Sequence, residues 1–200
     1  MPELVVARSL PDRFRTDAAH PDFAAFWPKL RNVLGHDRFA AVADLAAQGL
    51  RVDRAIAAHD GARLLGVTGF KRGGAGLVDL TPCDLRRLFG WWGGSWRGVA
   101  LGLLDRHERP GELLMDGICV AEFARGRGIG TRLLAAVEAE ARREGASRLR
   151  LDVIDTNPRA RALYERQGFR AARTRRMGPL GALFGFSAAT EMHKDIGGTP

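Results

Sequence analysis

Apolar positions change period several times along the chain, and each change marks an element. Residues 4–10 read as a strand ended by Pro11. Residues 17–34 place Phe23, Phe26, Trp27, Leu30 and Leu34 at helical spacing, with Pro21 and Pro28 as breaks or kinks. Residues 37–49 read as a second helix, with Phe39, Val42, Leu45 and Ala46 on one side. Two apolar runs, 54–59 and 63–70, flank Asp60-Gly61 and predict a hairpin. The glycine-rich stretch 71–106 holds Phe89, Trp91, Trp92 and Trp96, and short helices are expected near 83–89 and 96–106. Beyond it the pattern gives a strand at 113–120 and a helix at 130–144 with Leu133, Leu134, Val137 and Ala141 inward. A strand at 149–154 follows, then a helix at 157–167 stopped by Gly168, and closing strands at 169–176 and 190–196. The β-α-β-α-β order over 113–176 predicts an α/β fold.

Composition narrows the class. At 200 residues, 46% apolar and 27% charged, the chain suits one domain over 1–200 with a sizeable core. The start lacks a basic segment followed by an apolar one, and no apolar run is long enough to span a bilayer. The expectation is a cytoplasmic protein without a membrane partner. Cys83 and Cys119 form no CxxC pair and are expected as thiols. The five histidines show no metal-ligand spacing, so no metal is expected. The net charge of +8 comes mainly from scattered arginines rather than a basic stripe interleaved with aromatics, which argues against a nucleic-acid binder. It would still favour recruitment of a polyanion.

The chemistry concentrates at Arg125-Gly126-Arg127-Gly128-Ile129-Gly130-Thr131, between the strand at 113–120 and the following helix. Glycines let the backbone approach a ligand closely, and a helix N-terminus offers unpaired N–H groups to an anion. Arg125 and Arg127 add charged donors. An ordinary glycine-rich turn would share these features. The spacing is not GxGxxG, and no GK[ST] is present, which excludes the two best-known phosphate loops.

Arg125-x-x-Gly128-x-Gly130, preceded by Asp116-Gly117-Ile118-Cys119-Val120, resembles motif A of the GNAT superfamily of acyl-CoA-dependent N-acyltransferases. The stretch from Asn157-Pro158-Arg159 through Leu163-Tyr164-Glu165 to Gly168-Phe169 resembles its motif B. The clear resemblance covers about 112–170; residues 1–50, expected as a strand with helices, and 71–106, a helical insertion or lid, carry less. It implies a central mixed, mostly antiparallel twisted sheet whose strands at 113–120 and 149–155 splay apart. It further implies that acetyl-CoA lays its pantetheine arm along Ile118, Cys119 and Val120 and its pyrophosphate on the amides of 125–131. Asn157 matches a position that often contacts the cofactor, and Tyr164 the tyrosine that protonates or stabilises the departing thiolate.

A general base is harder to place. An amine with a pKa of about 10.4 is neutral in only about one molecule in 2,500 at pH 7. The family often uses a glutamate on the strand matching 113–120, and this chain has Leu114 there. Asp116 is the first candidate and Glu112 the second, both on the face of Leu114 by strand alternation. A surface carboxylate or an ion pair would account for either equally well. Cys119 has no neighbouring histidine and reads as a small apolar residue, against a covalent acyl-enzyme. The tryptophans of 89–96 would form an apolar wall over the acceptor, pack against the helices of 17–49 or make a dimer contact. The reading is an N-acetyltransferase with a direct ternary complex, acting on a small-molecule or peptide amine, with a homodimer compatible. The alternative is an acyl-CoA-binding regulatory module with little turnover.

Overall fold

The computed structural model describes residues 4–19, 33–35 and 38–197. The apolar pattern at 23–30, its two prolines, His20 and His36 lie outside them. Among the described residues seven strands are found: β1 (Val5–Ala7), β2 (Ala55–His59), β3 (Leu64–Phe70), β4 (Glu112–Val120), β5 (Arg148–Ile154), β6 (Arg170–Arg176) and β7 (Ala188–Asp195). The helices are α1 (Arg15–Ala19), α2 (Phe39–Gly49), α3 (Pro82–Gly102), α4 (Ile129–Arg143), α5 (Pro158–Arg166) and α6 (Gly181–Phe184). The strands form one sheet in the order β1-β2-β3-β4-β5-β7-β6. Every neighbouring pair is antiparallel except β4–β5, which is parallel. This is the mixed, mostly antiparallel sheet that the resemblance implied.

The β4–β5 pair holds only over Glu112–Leu114 against Arg148–Arg150. Further along, β4 pairs with β3 alone, while β5 stays paired with β7 along its whole length. The two central strands therefore diverge toward their C-terminal ends. A bulge contributes to this. Gly69 faces Gly117 while the next β3 residue, Phe70, faces Met115, so Asp116 is an extra residue on β4.

Alternation along β5 separates two environments. Leu149, Leu151 and Val153 enter the main core, where Leu133, Leu134, Val137 and Ala141 of α4 also lie. Gly66 on β3 admits α4 closely: a Cβ there would sit 2.9 Å from Leu133 Cδ1. Arg150, Asp152 and Ile154 point to the other face.

On that second face the two short helices expected near 83–89 and 96–106 correspond to α3, which starts at Pro82 and ends at Gly102. Thr81 caps it, accepting from the Asp84 N–H, while the Asp84 carboxylate accepts from the Thr81 N–H. At Gly90 the backbone turns to φ 74°, and the helix folds back on itself. A Cβ on Gly94 would lie 2.4 Å from Arg86 Cα, which shows how tightly the two halves abut. Residues 103–110 then form an arm across the sheet. It is tied down by an ion pair of Asp105 with Lys71, by Gly74 N–H donating to Glu108, and by Arg109 donating to Glu191.

Candidate active site

β4 ends in a short turn that delivers the chain to α4. Gly126 and Gly128 take φ of 78° and 72°, which only glycine adopts without strain, and Gly128 is the N-cap. A Cβ at either position would meet nothing within 4 Å, so this surface is open to a ligand. No side chain caps α4. Its first-turn amides, those of Ile129, Gly130 and Thr131, thus face outward with the positive end of the helix dipole. Arg125 is exposed and only 3.4 Å from Glu122. Arg127 is also exposed. Beside the loop, the edge of β4 carrying Ile118, Cys119 and Val120 lacks β5 as a partner. An extended arm with amide groups can bind such an edge as an added strand, with an anion at the helix end. The residues present thus fit acetyl-CoA on three counts: an open glycine turn, uncapped amides and a strand edge that β5 does not cover.

Asn157 has a structural duty. Its side-chain oxygen accepts from the Ala160 N–H at 3.1 Å and caps α5. That cap orients Tyr164, which is 5% exposed, belongs to the main core and packs on Phe169 with ring centroids 5.8 Å apart. Burial pushes the Tyr164 hydroxyl well above the usual phenol range, against a smaller opposing effect from the positive charge of Arg106. The phenol therefore stays protonated near neutral pH.

Arg106 was not singled out from sequence. The arm carries its guanidinium onto the second face of the sheet at the divergence of β4 and β5. There it lies 3.3 Å from Asp116 Oδ1 and 3.8 Å from Asp152 Oδ2. Asp116 also accepts from the Leu77 N–H at 2.8 Å. Gly76 leaves room for this, since a Cβ there would sit 2.2 Å from Asp116 Oδ2. Asp152 Oδ1 is buried and accepts no hydrogen bond. Glu112 lies at the closed end of the β4–β5 pair, with Arg150 at 3.0 Å, Arg148 at 3.3 Å and Arg109 at 3.8 Å. The structure thus separates the two candidate bases. Asp116 faces a cavity; Glu112 sits in an arginine cluster that leaves its charge compensated.

The cavity has a volume of about 590 Å³ and lies between the sheet, α2 and α3. Asp116, Gly117 and Cys119 of β4 and Asp152 and Ile154 of β5 form its floor. Its walls include Val42, Ala46, Leu77, Leu85 and Leu101. The tryptophan wall considered from sequence is corrected here. Trp91, Trp92 and Trp96 are 65%, 85% and 44% exposed, and none lines the cavity. The 71–106 stretch does supply a wall, but with its aliphatic residues. Trp92, Trp96, Val99 and Leu103 instead make an outward stripe on the second half of α3 and its end. Arg97 stacks on Trp96 at 4.5 Å. Among the described residues, no group of His, Cys, Asp or Glu could hold a metal, and no helix is long and apolar enough to cross a membrane.

This fold and this open strand edge beside a glycine-led helix define a class, and the comparisons agree with it. Residues 78–169, just under half of the chain, match the acetyltransferase (GNAT) family. The match begins well before the motif at 112–170, within the loop leading into α3. Over 93 residues the chain is 37% identical to "Acetyltransferase Atu2258" of Agrobacterium fabrum, covering 46% of this chain and 63% of that relative. Solved structures share the fold over nearly the full length. The ribosomal-protein-S18-alanine N-acetyltransferase from Escherichia coli superposes with a TM-score of 0.58 at 20% identity, covering 99% of this chain and 97% of that one. A GCN5-related N-acetyltransferase from Kribbella flavida gives 0.56 at 19% identity, covering 96% and 97%.

Proposed function

We propose that this protein binds acetyl-CoA at the divergence of β4 and β5 and transfers the acetyl group to a primary amine held in the cavity on the second face. The observation that carries the reading is the three-residue β4–β5 pairing, with the uncapped α4 N-terminus beside the strand edge it leaves open. Acetyl-CoA would supply the acetyl group as an activated thioester. The amides of 126–131 with Arg125 and Arg127 would hold its phosphates, and the Ile118–Val120 backbone its amide-bearing arm.

The protein's own groups then have distinct duties. The acceptor must lose a proton as its nitrogen bonds to the acetyl carbon, and the departing sulfur must gain one. Asp116 and Asp152 are the carboxylates at the cavity floor and would accept the first proton, directly or through water. Tyr164, buried and protonated, would deliver the second. Arg106 would hold the carboxylates in place and bring positive charge near the forming thiolate. Glu112 has no part in this scheme. Isothermal titration with acetyl-CoA, followed by thiol release on a panel of amines, tests the reading. Binding with amine-dependent release is expected; neither would sink it.

One observation favours a second reading, an acyl-CoA-binding module with little turnover. Leu114, fully buried, stands where the resemblance leads one to expect a catalytic glutamate. Tight binding with no release on any amine would establish that alternative.

A further inference from the structure

We infer that the acceptor is a small amphiphilic primary amine, a single ammonium group on an apolar body, seated with its nitrogen on Asp152. The inference rests on the transferase reading above and names the substrate class for the same site. Three observations carry it.

The first is the orphaned oxygen. Asp152 Oδ1 is buried, accepts nothing, and belongs to a residue on the cavity floor at the mouth of the β4–β5 divergence. A buried acceptor without a donor is costly, by about 1–3 kcal/mol or more for a charged group. An ammonium with three N–H donors supplies what this oxygen lacks.

The second is the charge balance. The charged cavity-lining groups are Asp79, Asp105, Asp116 and Asp152 against Lys71, Arg106 and Arg175. Lys71 and Asp105 neutralise each other. Burial pushes the Asp105 carboxyl up, but hydrogen bonding and charge from Lys71 more than offset this, so it stays ionised. Asp79 leans on Arg51 at 3.8 Å, outside the floor. At the floor one guanidinium, Arg106, serves two carboxylates. With Arg175 also lining the cavity, the floor carries no surplus of negative charge and is a poor match for a polyamine or an aminoglycoside carrying several ammonium groups.

The third is the wall. Above the floor the cavity is lined by aliphatic side chains from α2, the 74–80 loop and α3, including Ala46, Leu50, Leu77, Leu85 and Leu101. Its volume falls within the range of roughly 300–1,000 Å³ found for small-molecule pockets. Apolar matter on the acceptor is rewarded there; a sugar or a peptide backbone would leave its polar groups unpaired.

The test uses the full chain saturated with CoA for binding, and with acetyl-CoA for turnover. Butylamine, pentylamine, hexylamine and phenethylamine are compared with ethanolamine, spermidine and a pentapeptide with a free α-amine. Affinity and kcat/KM should rise roughly fourfold per added methylene along the alkyl series, and the polar amines and the peptide should trail by about tenfold or more. Asp152→Asn should weaken binding of hexylamine by about tenfold or more while leaving acetyl-CoA affinity unchanged. Ala46→Phe, which fills the wall, should penalise phenethylamine more than butylamine and so tests the seat even if Asp152→Asn folds poorly. Equal or better use of the peptide or of spermidine would overturn the inference and leave the transferase reading standing. So would the absence of any chain-length dependence. No binding of acetyl-CoA at all would instead remove the transferase reading, and the inference with it.

Discussion

Arg106 donates from one guanidinium nitrogen to both the main-chain oxygen of Asp116, at 3.1 Å, and its carboxylate, at 3.3 Å. Asp116 is the bulge residue of β4, so the contact fastens the arm to the strand where the sheet begins to open. Replacing Arg106 by Met should expose two acidic groups to each other and lower kcat/KM by about tenfold or more, with partial rescue by Arg106→Lys. A double-mutant cycle of Arg106→Met and Asp116→Asn on thermal stability should give a coupling of roughly 1 kcal/mol or more. Additive effects would show that the contact is idle.

Tyr164→Phe removes only a hydroxyl from a ring whose packing on Phe169 is kept. If the phenol supplies the proton to the departing sulfur, kcat should fall by roughly 100-fold. Acetyl-CoA affinity, read by titration, should change by less than about twofold. Unchanged turnover would assign Tyr164 to packing alone.

The glycine turn gives a matched pair of substitutions. Gly128 and Gly61 both have positive φ, 72° and 91°, and both face open space. Alanine at either should cost about 1–2 kcal/mol of stability through backbone strain. Only Gly128→Ala should also weaken acetyl-CoA binding, because Gly61 is in the β2–β3 hairpin, outside the turn at 125–131. Equal loss of affinity in both variants would detach the α4 N-terminus from cofactor binding.

Acid should loosen the packing of α4 against β1. Burial pushes the Glu140 carboxyl up, but hydrogen bonds from Arg143 and Arg8 outweigh this and leave it below its ordinary value of 4.5. A carboxyl with a depressed folded value contributes stability that is complete above its unfolded value and is lost as pH falls through the folded one. The melting temperature should therefore decline as pH drops below about 4.5. Glu140→Gln should flatten that part of the curve while lowering stability at pH 7. An identical acid limb in both proteins would contradict this account.

The elements from 112 to 176 and the loop at 125–130 were legible in the chain because their causes are local. Helical spacing in 129–143, glycines where φ must be positive, and the Asn157 cap before Pro158 each act within a turn or two of sequence. The hairpin at 55–70 was readable for the same reason. What tertiary structure alone decided was which charges meet. Arg106 and Asp152 carried no motif, and Glu112 and Asp116 looked equivalent by alternation. Their roles separated only when the parallel pair closed at Arg148–Arg150, opened beyond it, and the 103–110 arm crossed the gap. Likewise the tryptophans could have faced inward or outward until the turn at Gly90 set the orientation of the second half of α3. Local backbone preference writes the elements and the glycine turn into short stretches of sequence. The meeting of distant charges depends on strand order and register, which no short stretch contains.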